Sequence, residues 1–377
     1  MHCDYFDSGR CRSCSLMGVP YRDQLAQKQA AVASLLAPFG VGTWHAPFAG
    51  PEAAYRNKAK MVVGGTVDAP TIGILDADGY GVDLQACGIC SDAHRAAFGV
   101  LAAFITRAVL VPYDVPGRRG ELKHLLLTES PDGELMLRFV LRSTEPVGRI
   151  RKHLPWLLAE LPTLRVVSVN LLPGHVAAVE GPDELVLTDT DSLPMRVNDV
   201  VLHLRAQSFF QTNTPVAAEL YATARTWAAA LSPTSVWDLY CGVGGFALHL
   251  ARSAQHGASI VGIETSVEAI ASAQLSAREA GLSGIAFEAG GATEFALRSD
   301  VSPELVVVNP PRRGIGARLA SWLNDSSVQH VLYSSCNPYT LATDLAAMPT
   351  WRPTQARLFD MFPQTTHSEV MVALTRR

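Results

Sequence analysis

From about residue 210 onward, strand-like and helix-like segments alternate, and this alternation constrains the fold more than any other feature of the chain. The strand candidates are SVWDLYC (235–241), ASIVGIE (258–264), GIAFEAG (284–290), ELVVVNP (304–310) and QHVLYSSC (329–336). ARLFDMF (356–362) and EVMVALT (369–375) follow, with too few residues between them for a helix. Five βα units and a closing hairpin describe a doubly wound, mostly parallel sheet with an antiparallel strand. Thr214-Pro215 offers a helix start ahead of the first strand, with a capping hydroxyl and a proline in the first turn. Ligands of such sheets sit beyond the carboxyl ends of the parallel strands, so chemistry is expected where these strands break into loops.

Residues before about 200 read differently. LKHLLLTES (122–130) and ELMLRFVLRST (134–144) flank Ser-Pro-Asp-Gly, a hairpin signal. VVSVNLLP, HVAAVEG and ELVLTDT continue the β pattern to about residue 190, and helices are expected near 21–39 and 91–109. This reading divides the 377 residues into a strand-rich α+β region, 1–200, and an α/β region, 201–377. The apolar run 101–112 is too short to span a bilayer and is interrupted by Arg107. The first residues lack the basic-then-apolar order of a secretory leader. A cytoplasmic chain without membrane or protein partners is expected, in which grouped thiols hold metal rather than disulfides. A net charge of −4 excludes a globally basic nucleic-acid binder. It leaves RNKAK (56–60), GRRGELKH (117–124) and GRIRKH (148–153) as either solvated faces or local contacts.

DLYCGVGGFALHL (238–250) follows the first strand of the alternating half and opens a helix. Gly242, Gly244 and Gly245 let the backbone approach a ligand closely, and Glu264 ends the next strand, placed to accept from two ribose hydroxyls. The same letters satisfy G-x-G-x-x-A, so the loop alone leaves NAD and S-adenosylmethionine both open. Downstream, Asn309-Pro310-Pro311-Arg312 ends the fourth strand. An asparagine amide beside a proline carbonyl can hold the donor and acceptor edge of a flat nucleobase, which a base-modifying methyltransferase needs and a nicotinamide enzyme does not.

Cys336 stands where the fifth strand exits into Asn337-Pro338, at the same sheet edge as Asn309, and Glu369 begins the last strand there. A thiolate and a carboxylate facing a methyl-donor site suit one reaction. Carbon 5 of uracil is too weak a nucleophile to take a methyl group unaided. Thiolate addition to carbon 6 makes carbon 5 an enolate; a base must then remove the proton of carbon 5 so that the sulfur leaves. Cys336 is the candidate nucleophile and Glu369 the candidate base.

SFFQTN (208–213), DLYCGVGGF (238–246), VGIE (261–264), NPPRRGIG (309–316), YSSCNPYTLATDL (333–345) and FDMFPQTTHSEV (359–370) resemble, in that order, the RNA (uracil-5-)-methyltransferase family. The resemblance implies a Rossmann-like class I methyltransferase domain in which Gln211, Tyr240, Gly242, Gly244, Glu264 and Asn309 bind or adjoin S-adenosylmethionine. By the same resemblance Cys336 and Glu369 carry the covalent step and the proton abstraction. Many relatives have Asp in place of Asn309, and Gly290-Gly291 stands where relatives often carry an Asp or Asn for the adenine.

Cys3, Cys11 and Cys14 crowd the amino terminus, and Cys87 and Cys90 lie further on. Spacing alone fits either a tetrahedral zinc site of Cys11, Cys14, Cys87 and Cys90 or an iron–sulfur cluster on four thiolates. MHCDYFDSGRCRSC and PEAAYRNKAKMVV (51–63) resemble the branch of the family that modifies 23S ribosomal RNA. That resemblance implies a [4Fe-4S] cluster on Cys3, Cys11, Cys14 and Cys87, with Cys90 the alternative fourth ligand, and uridine 747 as the target base. Cys241, inside the cofactor loop, is expected to be inert. Arg56, Lys58 and Lys60 are candidate RNA contacts, and Phe209 or Phe362 candidate stacking partners. Two rival functions remain at this point: a transfer-RNA uridine-5 methyltransferase, and an NAD-dependent oxidoreductase carrying an iron–sulfur cluster. A non-catalytic RNA-binding scaffold is disfavoured by the intact Cys336 and Glu369.

Overall fold

The structure, a computed structural model, describes residues 1–254 and 257–377. The chain forms two compact units: Met1–Met17 with Glu52–Met195, and Gly18–Pro51 with Arg196–Arg377.

In the second unit eight strands make one sheet: β1 (Thr43–Trp44), β2 (Ser235–Leu239), β3 (Ser259–Glu264), β4 (Ile285–Ala289), β5 (Leu305–Val308), β6 (His330–Ser335), β7 (Trp351–Phe359) and β8 (Glu369–Arg376). Their order is β1-β7-β8-β6-β5-β2-β3-β4. β8 runs antiparallel to both β6 and β7, and the other neighbours are parallel. From β2 the chain winds outward through β3 and β4, then returns to the other side through β5 and β6. The crevice between β2 and β5 is therefore the topological switch point. Helices α1 (Tyr21–Leu36), α2 (Thr214–Leu231), α3 (Gly245–Ala251), α4 (Val267–Glu279), α5 (Ala292–Arg298), α6 (Gly316–Asp325) and α7 (Pro338–Ala346) belong to the unit, as does the strand Val200–Arg205 outside the sheet. Strands covered on both faces read as unbroken apolar runs, as in β5, where Leu305, Val306, Val307 and Val308 are all buried.

Two details depart from the sequence reading. Gly18–Pro51 belongs to this second unit rather than to a continuous first half. β1 pairs in parallel with β7, Thr43 opposite Gln355 and Trp44 opposite Ala356, while α1 buries Val32 and Leu36 in the core that holds Leu345 and Trp351. At α2 the cap is Asn213, not Thr214: its side-chain oxygen accepts from the Val216 amide at 3.4 Å.

The first unit is built on a seven-stranded sheet in the order Gly81–Asp83, Pro70–Leu75, Lys58–Gly65, Leu122–Glu129, Leu135–Leu141, Leu164–Leu171, Asp183–Val186. Leu122–Glu129 and Leu135–Leu141 form the expected antiparallel hairpin. The one parallel pair, Leu135–Leu141 with Leu164–Leu171, needs a crossover, and helix Val147–Glu160 supplies it. That helix and Asp92–Arg107 cover one face of the sheet, packing Phe98, Leu101, Phe104 and Ile150 with Leu125, Leu127 and Phe139. HVAAVEG (175–181) is not a strand. Side chains take its hydrogen bonds instead of a ladder: Asn170 accepts from the Gly181 amide at 2.7 Å and donates to the Gly181 carbonyl at 2.9 Å. Among the described residues no helix is long and apolar enough to cross a membrane.

Candidate active site

β2 ends at Leu239 and enters a turn in which Tyr240 (φ 70°), Gly242 (φ 54°) and Gly244 (φ 86°) are all left-handed. Glycine adopts this conformation without steric cost; Tyr240 does not, and its strain marks a backbone held for a purpose. A Cβ at Gly242 would meet nothing within 4 Å, so that side of the loop is open, whereas at Gly245 it would lie 2.5 Å from the Tyr221 hydroxyl. Gly245 thus serves packing and Gly242 leaves room for a ligand. Glu264, the last residue of β3, accepts from the Gly242 amide at 3.3 Å and, through its other oxygen, from the Ser266 amide at 3.0 Å. Asp238 is fully buried in β2; one oxygen accepts from the Ala247 amide at 2.9 Å and the other has no hydrogen-bond partner among the described residues. Burial, with a smaller contribution from Glu264, pushes the Asp238 carboxyl up to about 7. The Tyr240 phenol is raised by burial and hydrogen-bonds the Thr293 side chain.

Across the switch point, Gln211 donates to the Asn309 side-chain oxygen at 3.4 Å. The Asn309 amide donates in turn to the Ser334 carbonyl at 3.2 Å and to Glu369 Oε1 at 2.9 Å. The Ser334 hydroxyl also donates to Glu369 Oε1. Both donors meet one carboxylate oxygen, so Oε2 is left for other work. Glu369 is 1% exposed, and burial raises its pKa to about 7 against the lowering pull of these two hydrogen bonds.

The register explains why a thiol stands at the exit of β6. Ser335 is opposite Val370 in the antiparallel β6–β8 ladder, so one step further brings 336 opposite 369. Side chains alternate along a strand, so Ser334 and Cys336 share a face. Cys336 is half-buried; burial and the Glu369 charge raise its pKa, while the Arg312 guanidinium, hydrogen-bonded to the thiol, pulls it down. The loop after β5 is tied to the same place: the Asn337 amide and the Thr340 hydroxyl both donate to the Arg312 carbonyl, at 2.9 and 3.2 Å. Asp344 accepts from the Ile315 amide at 2.9 Å and from the Tyr333 hydroxyl at 2.7 Å.

The segment between β7 and β8, which delivers Glu369, is clamped by α1. Lys28 Nζ donates to Asp360 at 2.6 Å and to the Phe362 carbonyl at 3.0 Å, and the Tyr21 hydroxyl donates to Asp360 at 2.8 Å. Gln24 and Gln364 bond reciprocally, the Gln24 amide to Gln364 Oε1 at 2.9 Å and the Gln364 backbone amide to Gln24 Oε1 at 3.1 Å.

Known proteins share the sequence and the fold of this chain. A family described as tRNA (Uracil-5-)-methyltransferase matches residues 186–377. The chain is 50% identical, over the full length of both chains, to a 23S rRNA (uracil(747)-C(5))-methyltransferase RlmC of Citrobacter koseri. It belongs to this uracil-5-methyltransferase family. A relative of the same name from Escherichia coli O157:H7 is 49% identical over the whole of both chains, and one from Yersinia pestis is 50% identical over the whole of both. The fold is shared with the crystal structure of a Pyrococcus abyssi tRNA (uracil-54, C5)-methyltransferase in complex with S-adenosyl-L-homocysteine. The TM-score is 0.78 at 24% identity, over 96% of this chain and 85% of that one.

Within this uracil-5-methyltransferase, Gln211, Asn309, Ser334 and Glu369 form one hydrogen-bonded line, while Gly242 and Glu264 form a second. Arg312, Ser334 and Asp238 were not singled out in the sequence, although each had a signal: a cation in NPPRRG, a hydroxyl two residues before the thiol, a carboxylate inside an apolar strand. The Lys28–Asp360 clamp had none, because its partners lie 332 residues apart.

The remaining candidate thiols belong to the first unit. Cys3, Cys11, Cys14 and Cys87 are half-buried and Cys90 is buried. The Ala86 amide donates to the Tyr5 hydroxyl at 3.1 Å, joining the two cysteine-bearing segments. Burial and the neighbouring charges of Cys87, Cys11 and Cys3 push Cys14 up to about 11. Cys90 hydrogen-bonds Cys87, which lowers the one thiol and raises the other. Among the described residues no three His, Cys, Asp or Glu side chains form a group that could hold a metal ion. Of the basic run 56–60, only Lys60 is exposed; Lys58 is desolvated, its pKa pushed down to about 8, and Arg56 faces the thiols.

Proposed function

We propose that this chain methylates carbon 5 of a uridine in 23S ribosomal RNA, the position being the uridine 747 for which its half-identical relatives are named. The observation that carries the reading is the pairing of Cys336 with a buried, neutral-range Glu369 across adjacent antiparallel strand ends. Gln211, Tyr240, Gly242, Gly244, Glu264 and Asn309 would hold S-adenosylmethionine; the open side of Gly242 and the carboxylate of Glu264 beside it fit such a group. When bound, it supplies the electrophilic methyl group that carbon 5 takes.

The residues of the chain do the rest. Arg312 favours the thiolate of Cys336. The sulfur lone pair forms a bond to carbon 6, and the ring's electron pair moves to carbon 5 and its conjugated carbonyl. After carbon 5 is methylated, Glu369 takes its proton; the C–H electrons rebuild the ring double bond as the sulfur–carbon bond breaks, and thiolate is regenerated. Ser334 and Asn309 hold Oε1, which orients Oε2 as the basic atom. A uracil in a paired stem cannot reach Cys336, so the target must be extruded from its stack.

Cys3, Cys11, Cys14 and Cys87 are proposed as ligands of a [4Fe-4S] cluster in the first unit. The charges of Cys87, Cys11 and Cys3 felt at Cys14 support their convergence, and four thiolates are the ligand set such a cluster takes. Cys90, hydrogen-bonded to Cys87 and buried, is then a neighbour rather than a ligand.

Incubating the protein with 5-fluorouridine-containing 23S RNA fragments and S-adenosylmethionine tests the reading. Fluorine cannot leave as a proton, so a covalent adduct joining Cys336 to one nucleotide is expected. An adduct elsewhere, or equal turnover of Cys336→Ala, overturns it.

A further inference from the structure

The first unit holds a cavity of about 390 Å³ that the methyl-transfer chemistry does not use. It lies on the sheet face opposite the two helices: Met61 and Val63 point into the helix-covered core, and Val62 between them lines the cavity. A β-bulge builds it. Leu122 pairs with Leu141 and His124 with Val140, which leaves Lys123 as an extra residue in the ladder. Bulges re-aim side chains, and here Lys123 and His124 both face the cavity.

Its lining is aromatic and apolar with a few fixed polar atoms. Lys123 Nζ lies 4.6 Å from the Tyr113 ring centre and donates to the Gly174 carbonyl at 2.6 Å. The Tyr113 hydroxyl and His175 Nδ1 are 3.0 Å apart, their rings tilted at 41°. Burial keeps His124 neutral, pushing it down to about 4, and its Nδ1 is buried without a partner among the described residues. Val62 and Val179 add apolar walls. The rim continues into GRRGELKH, where Arg118 and Arg119 are exposed; Asp114 sits 3.8 Å from Arg119, and Arg118 has no carboxylate partner among the described residues.

A volume in the small-ligand range, flat apolar walls, neutral edge donors and acceptors and a cationic lip are what an unstacked base and its phosphate need. We propose that this cavity receives a second nucleobase of the substrate RNA, besides the target uracil. The proposal rests on the reading of the chain as an RNA methyltransferase. The GRRGELKH cluster then anchors a single-stranded segment at a fixed point, by stacking and edge contacts, with Arg118 on the backbone phosphate.

The test uses the full-length protein and an RNA hairpin carrying the target uridine. 4-Thiouridine is placed in turn at each unpaired non-target position, irradiated, and the crosslinked peptides are mapped. One position is expected to crosslink to Tyr113 or to residues 175–179. Ala178→Glu and Val176→Glu, both at exposed positions on the cavity wall, should each raise the KM for RNA about ten-fold, the worth of one stacked base. Both should keep kcat and S-adenosylmethionine affinity within two-fold. An abasic residue at the crosslinked position should raise KM equally and add nothing to Ala178→Glu. Crosslinks confined to other peptides, with unchanged KM in both variants, overturn the cavity's role. Failure of wild-type protein to form the Cys336 adduct on fluorinated RNA instead refutes methylation, and the crosslink map still decides the cavity by itself.

Discussion

The two sheets of this molecule put their polar groups in different places. In the second unit the mostly parallel sheet is covered on both faces, so polar side chains gather at strand ends: Glu264, Asn309, Cys336 and Glu369. The first unit's mainly antiparallel sheet has helices on one face only, and the other face carries Arg138, Lys58, His124 and Asn170. Arg138, 1% exposed, donates to both oxygens of Glu184, at 3.0 and 2.6 Å, and also to Glu180. Strand ends converge on a point and suit bond-making; a strand face is broad and suits recognition. The proposed division of labour follows from how each sheet is covered.

The sharpest challenge to this contrast is at the strand ends. Cys336→Ala should reduce methyl transfer to background in a radiolabelled assay while leaving S-adenosylmethionine binding intact. Glu369→Gln comes next: turnover should fall about 10²–10⁴-fold, the range for a lost general base, and methylated RNA should accumulate covalently on the protein in denaturing gels. The same variant reports on stability. Burial raises Glu369 to about 7, so the folded state holds this proton more tightly than the unfolded chain. The group's contribution is complete below the ordinary carboxylate value and is lost as pH climbs through 7. Glu369→Gln should therefore melt higher than the parent at pH 8 and similarly at pH 4.5.

A third effect concerns the clamp. Lys28→Met strands Asp360, whose side chain is 0% exposed, and should cost about 3–5 kcal/mol in denaturant unfolding. A smaller effect is expected at Ser334→Ala, which removes one donor from Glu369: the inflection of kcat against pH should move upward from about 7, with a several-fold loss at pH 7 and recovery at pH 9. Smallest is Lys60→Ala on the broad face. Lys60 is exposed and only 3.9 Å from Glu180, so its loss should lower the salt dependence of RNA binding by about one phosphate contact. An effect at Lys58→Ala with none at Lys60→Ala would show that the desolvated lysine, not the exposed one, meets RNA.

What the sequence disclosed tracks how local the determining interactions are. The strands from β2 to β8 were legible because apolar runs and glycine-rich turns are written in consecutive residues. Cys336 and Glu369 were legible for the same reason, once strand direction placed both at one edge. β1 was not: two residues have no period, and its partner lies more than three hundred positions away. HVAAVEG was misread as a strand because its β-branched letters satisfy the pattern, while Asn170 and Lys123, which hold that loop, lie elsewhere in the chain. Among the basic runs, charge alone did not separate exposed Lys60 from desolvated Lys58; alternation puts both on one face and does not report what covers each position along it.

The clamp of Tyr21, Gln24 and Lys28 on residues 360–364 has a consequence for biosynthesis. A helix that leaves the ribosome early must wait, unpartnered, for almost the whole chain to be translated before it meets the segment it restrains. The segment that leads into the last strand is therefore fixed only when translation is nearly finished.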